Sequence, residues 1–165
     1  MAENDGQPAA APAATAQPNM AIVAQYVKDL SFENPGAPDA LRSRQPQPQI
    51  NIQVGVRSNA IAENEYEVEL RMDARAANGQ TVLFALELVY AGLFRLTNIP
   101  PQNLAGLVMV ECPRLLFPFA RQIISDASRN GGFPPLLVDP VDFAALYRQQ
   151  LQNAQAAQAQ AAAPN

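Results

Sequence analysis

Few side chains in this sequence could do covalent or metal chemistry. It has a single thiol, Cys112, and no histidine. Without histidine there is no Ser–His or Cys–His nucleophile pair, no imidazole metal ligand and no imidazole pH switch. One thiol can form neither an internal disulfide nor a cysteine-rich zinc site, and a free cysteine is most often a small buried hydrophobe. Glu65, Glu67 and Glu69 could suggest metal ligands or an acid–base pair. Alternate residues of one strand all project to one side, so three such carboxylates equally make an ordinary solvated face. Gly131-Gly132 comes after a helical pattern, and no Lys-Ser or Lys-Thr follows it, so it is not a phosphate loop. No serine or threonine sits in a nucleophile elbow. The residues point to no catalytic group, no metal site and no cofactor.

Charge narrows the partners. The 165 residues carry 11 basic and 15 acidic side chains, a formal net charge of −4, and the isoelectric point is near 4.7. Ten of the 11 cations are scattered arginines. That is not the footprint of a nucleic-acid binder. The longest apolar-rich stretch, Thr81 to Phe94, is interrupted by Glu87, whereas a membrane-spanning helix needs about 20 apolar residues. Glu3 and Asp5 stand where a secretion signal would carry Lys or Arg. The expectation is a soluble cytoplasmic protein with no direct membrane insertion.

The elements that must position any site lie between two low-complexity tails. Residues 1–19 are rich in Ala and Pro and cannot bury enough surface to offset their ordering entropy. Residues 152–165 are rich in Ala and Gln, and a helix entering them should fray. Both are expected to be disordered, leaving one domain over residues 20–151. Within it, Ile22–Glu33 alternates loosely, with Ile22, Ala24, Tyr26, Lys28, Leu30 and Phe32 on its even face. Gln49–Arg57 places Ile50, Ile52, Val54 and Val56 on one face. Glu65–Ala77 places Tyr66, Val68, Leu70 and Met72 on one face and charges on the other. Gln80–Leu96 repeats the pattern with Val82, Phe84, Leu86, Leu88 and Tyr90. Period two predicts four strands, each with one packed and one wet face. Arg42–Pro48 should be an extended loop.

Asn78-Gly79 marks a hairpin. A strict two-residue loop there would set Leu70 opposite Glu87 and mix the faces. Keeping the apolar faces together needs an even register sum, hence a three-residue loop or a bulge. A sum of 158 would put Arg71 opposite Glu87 and Met72 opposite Leu86.

After the strands the period changes. Asn98–Glu111 reads as a short helix broken at Cys112-Pro113. Leu115–Ser128 reads as a longer helix with Pro118 in its first turn or so, ended by Asn130-Gly131-Gly132. Pro134–Pro140 is an extended connector. Asp139-Pro140 then offers an N-cap and an N1 proline for a last helix through Phe143, Leu146, Tyr147 and Leu151. Strands followed by helices predict an α+β fold: a four-stranded antiparallel sheet with helices packed on one face.

Two binding features remain. The odd-numbered, wet face gathers Asp29, Glu33, Glu65, Glu67, Glu69 and Glu87, partly neutralised by Arg57, Arg71 and Arg75. It is either a solubilising surface or a docking face for a basic partner. Second, 48% of residues are hydrophobic despite the tails. One sheet face cannot cover them all, and surplus apolar surface means oligomerisation or a groove for a partner. A non-catalytic adaptor using the whole surplus at subunit interfaces, and an enzyme using Cys112, are the competing readings.

Four runs then carry a resemblance: KDLSFENPGAP (Lys28–Pro38), EYEVELR (Glu65–Arg71), CPRLLFPFAR (Cys112–Arg121) and GGFPPLLVDPVDFAALY (Gly131–Tyr147). In unbroken order over about residues 20–151 they resemble the SecB family, export chaperones of Gram-negative bacteria. The Ala/Pro/Gln-rich tails suggest an alphaproteobacterial member. The resemblance implies a homotetramer, a dimer of dimers. It implies an ATP-independent chaperone that holds unfolded precursor proteins and passes them to the SecA motor. SecA would dock through its basic, zinc-containing C-terminal segment on Asp29, Glu33, Ala85 and Glu87. Ala85 departs from the larger apolar residue frequent in the family. Clients would lie in apolar grooves that include Ile50, Ile52, Val54 and Phe84, with residues along the Leu115–Ile124 helix. Pro46 stands where the family often has Trp, so one aromatic groove contact would be missing.

Overall fold

The structure is a computed structural model, and it describes residues 17–42 and 47–161. Four strands form one antiparallel sheet: β1 (Asn19–Glu33), β2 (Gln49–Ala62), β3 (Glu65–Asn78) and β4 (Thr81–Thr97), in the order β1-β4-β3-β2. A single helical turn, α1 (Asp39–Arg42), follows β1. After β4 come α2 (Pro101–Gly106), a π-helical turn (Leu107–Glu111), α3 (Cys112–Asn130) and α4 (Phe143–Ala161).

The even faces of β3 and β4 are the floor of the core, as period two predicts. Val68, Leu70, Met72, Leu86, Leu88, Phe94 and Leu96 are buried there, beneath Leu116, Ile124 and Phe143 of the helices. The β3–β4 hairpin closes on Gly79-Gln80 rather than Asn78-Gly79, with Asn78 opposite Thr81 and Gly79 at φ +59°. That positive φ is why glycine stands at the turn. A bulge at Leu83 then shifts the pairing to a sum of 160, so Met72 faces Leu88 and Asp73 faces Glu87. The expected bulge and even sum are present, but the register is two residues beyond 158. Arg71 still reaches Glu87, now diagonally.

β1 departs from simple alternation. Its pairing with β4 slips between Ile22 and Ala24 and again between Val27 and Asp29. Each slip inserts one unpaired residue and inverts the parity of the residues beyond it. Between them Gln25 and Val27 oppose Gly92 and Tyr90, while Tyr26 and Lys28 turn to the outer face. The single even face expected for Ile22–Phe32 is therefore corrected: Ala24, Tyr26 and Lys28 leave it, and Leu30 and Phe32 regain it opposite Leu88 and Leu86.

The helices also differ from expectation. No break occurs at Cys112-Pro113: α2, the π turn and α3 form one helix, Pro101–Asn130. The Cys112 amide donates to the Leu107 carbonyl, five residues back. The wider turn lets the chain absorb a proline that cannot donate to an α-helical ladder. Pro118 lies inside α3 rather than in its first turn. It is exposed, so water can reach the carbonyl it leaves unpaired. By length and composition this helix could cross a membrane. Here its apolar side, with Val108, Cys112, Leu116, Ala120 and Ile124, is buried in the core.

α3 ends at Gly131-Gly132 as expected, with the Gly131 amide on the Ala127 carbonyl. α4 starts at Phe143, and its cap is Asp142, whose Oδ1 accepts from the Ala145 amide at 2.9 Å. Asp139-Pro140 belongs to the connector instead. α4 runs on, exposed, from Leu151 to Ala161. The tail expected from residue 152 is thus helical that far, consistent with the helix propensity of Ala and Gln. Asn19 already belongs to β1; residues 1–16 and 162–165 of the expected tails, and Pro46, lie outside the described residues.

Candidate functional site: an apolar cleft and an acidic outer face

The cleft forms where the connector after α3 crosses the ends of β2 and β4. Ser128, buried near the end of α3, accepts from the Leu136 amide at 2.8 Å and donates to the Ser125 carbonyl at 3.0 Å. This pins the connector in an extended course with Leu136 and Val138 buried and Leu137, between them, 71% exposed. Between connector, α1 and the strand ends is a cavity of about 660 Å³. Its lining is mostly apolar: Ala40, Leu41, Pro48, Ile50, Leu83, Phe84 and Phe133–Leu137, with Gln47 and Gly132.

Phe84 is anchored in that lining. Its ring lies 5.6 Å from that of Phe32 and 5.0 Å from that of Phe133, centroid to centroid. Gly131 makes room for the trio: a Cβ there would fall 2.2 Å from Cζ of Phe32. Of the four expected groove residues, Ile50 and Phe84 meet in the cleft. Ile52 and Val54 do not line it and pack half-buried against the core instead. Leu83, Leu41 and Phe133–Leu137 were missed. Leu83 is odd-numbered, and only the bulge turns it inward beside Phe84.

The outer face carries the charges. Glu33 pairs with Ala85, Ser31 with Glu87 and Asp29 with Val89. Asp29, Glu33, Ala85 and Glu87 therefore form one patch on two adjacent strands, about 13 Å long at two residues per 6.6 Å. All but half-buried Ala85 are exposed. Arg71 lies at the patch edge, with Nη2 3.1 Å from Glu87 and Nε 3.1 Å from Asp73. Farther along, Lys28 reaches across β4 to Glu67 and Glu69, and the Tyr26 hydroxyl donates to Glu67. These donors hold the Glu67 carboxyl below the usual carboxylate range, Tyr26 foremost. Glu69, then Glu67, raise the pKa of Lys28.

Cys112 is buried, and burial pushes its thiol up to about 12. Such a thiol is not a nucleophile at neutral pH. Among the described residues no three His, Cys, Asp or Glu side chains are grouped to hold a metal ion.

The family model for preprotein translocase subunit SecB matches residues 13–154. The chain belongs to the SecB family. A protein-export protein SecB of Rhodopseudomonas palustris strain HaA2 is 57% identical over 155 residues, covering 94% of this chain and 96% of that one. Its counterpart in strain BisA53 is 54% identical over the full length of both chains. That of Bradyrhizobium diazoefficiens is 54% identical over 96% of each. Among solved structures, a SecB-like chaperone of Mycobacterium tuberculosis, in complex with an antitoxin peptide, has the same fold. Its TM-score is 0.62 at 15% identity, over 74% of this chain and 90% of that one. Membership makes this chain a protein-export chaperone, and SecB-type α+β architecture is the fold described above.

Proposed function

We propose that the cleft beside Phe84 binds unfolded precursor proteins and that the Asp29, Glu33, Ala85 and Glu87 patch docks SecA through its basic, zinc-containing C-terminal segment. One observation carries this reading: the two surfaces lie on opposite sides of one sheet. The apolar cleft is on the helix side and the acidic patch on the other, so a client and SecA can be held at once.

The cleft's size sets the binding mode. A volume near 660 Å³ takes a few apolar side chains, each worth about 1.5–3 kcal/mol when fully buried. That is weak before binding costs, and it is non-directional, so it suits many sequences and needs no ATP. Useful holding requires several clefts acting on one chain. A homotetramer, a dimer of dimers in the cytoplasm, supplies them. Exposed Ile22, Val27 and Leu30 of β1, with Leu115 and Phe119 of α3, offer apolar surface for its assembly.

Substitutions at exposed positions test the two assignments separately. Ile50→Asp and Leu137→Asp should each weaken binding of a denatured precursor about tenfold or more and leave SecA binding intact. Glu87→Lys should do the reverse. Fluorescence anisotropy with a labelled client and with SecA reads both. Loss of both activities in every variant, or of neither, would contradict the separation.

A further inference from the structure

The acidic patch contains its own competitor. Glu87 already has an ion-pair partner within the chain: Arg71 donates through Nη2 to its Oε2 from β3 at 3.1 Å, while the Arg71 Nε donates to Asp73. Three neighbouring carboxylates, Asp73, Glu87 and Asp29, favour the charged guanidinium. A planar fork held between two carboxylates fills the place that an incoming cation would take. Asp29 and Glu33, on the neighbouring strand, accept no ion pair comparable to that of Glu87 among the described residues.

We propose that Arg71 is a built-in counter-ion which a basic partner must displace from Glu87, so that it keeps docking weak and reversible. The proposal rests on the docking role assigned above. Its consequence runs against the usual expectation for a residue at an interface: removing Arg71 strengthens binding. Freed Glu87 joins Asp29 and Glu33 in contacting the partner. Binding then neutralises one more charge, so it falls more steeply with salt.

The test titrates the zinc-loaded C-terminal peptide of SecA into the full-length protein by calorimetry at about 50 mM and about 500 mM salt. Arg71→Gln should bind about three- to fivefold tighter than wild type at low salt, the scale of one exposed ion pair, and converge with it at high salt. Arg71→Lys, which keeps the charge but loses the fork, should fall between. Arg95→Gln removes the same charge at the far end of the face, where Arg95 pairs with Glu65 at 2.7 Å. It should leave affinity unchanged within about 1.5-fold. If wild type binds and Arg71→Gln binds equally or more weakly, the counter-ion role is wrong and docking stands. Equal tightening by Arg95→Gln would also overturn it, reducing the effect to net charge. If wild type does not bind the peptide, the docking assignment fails and the counter-ion role with it.

Discussion

Tyr26, Lys28 and Glu67 meet because Ala91 is small. Ala91 stands between Tyr26 and Glu69 in the β1–β4–β3 row, and a large side chain there would block the reach from β1 to β3. The cluster gives the outer face a pH response with a definite sign. The Glu67 carboxyl is lowered in the folded state, first by the Tyr26 hydroxyl and then by Lys28. Its contribution is present above the unfolded carboxylate pKa, about 4.3, and is lost as pH falls through the lower folded value. Lys28 is raised. Its contribution is present below about 10.4 and is lost as pH climbs through the folded value. Glu67→Gln should therefore flatten the decline in melting temperature as pH falls below the ordinary carboxylate range. Circular dichroism melts at successively lower pH, beginning near neutrality, provide the check.

At the scale of elements, the cleft depends on how tightly the end of α3 lies on β1. Gly131→Ala would drive a methyl group into the Phe32 ring, which backs Phe84. Overpacking of this kind costs about 1–3 kcal/mol. Urea unfolding should show that loss, together with weaker client binding. Sheet and strands were readable from period two because one face is dry and the other wet. The slips in β1 were not: a bulge adds one residue, and nothing in Val23 or Lys28 marks them as the extra ones. The helix through Cys112-Pro113 was hidden for a related reason. Proline forbids an α-helical bond, and the sequence does not say that a π turn will stand in for a break. Asp139-Pro140 carries the usual signature of a helix start, but the Asp142–Ala145 hydrogen bond sets the actual cap three residues further on. Of the cleft, Ile50 and Phe84 came from family resemblance. Leu83 and the connector became visible only once the chain returned over β4.

The two sides of the one sheet differ in character, an apolar cleft on the helix side and an acidic patch on the other. Apolar side chains that the single core cannot cover are gathered in the cleft and along β1 and α3. The acidic docking patch lies on the far side, and the net charge of −4 over the whole chain favours solubility of a loaded complex. This arrangement should hold unfolded chains without chemistry or nucleotide. Its most direct test is the refolding of a denatured, slow-folding precursor diluted into buffer with and without the full-length protein, in the absence of ATP, followed by native fluorescence. Folding should be arrested at about one tetramer per client and resume when the protein is removed. An unchanged folding rate across a wide excess of the protein would contradict it and leave the apolar surplus to subunit contacts alone.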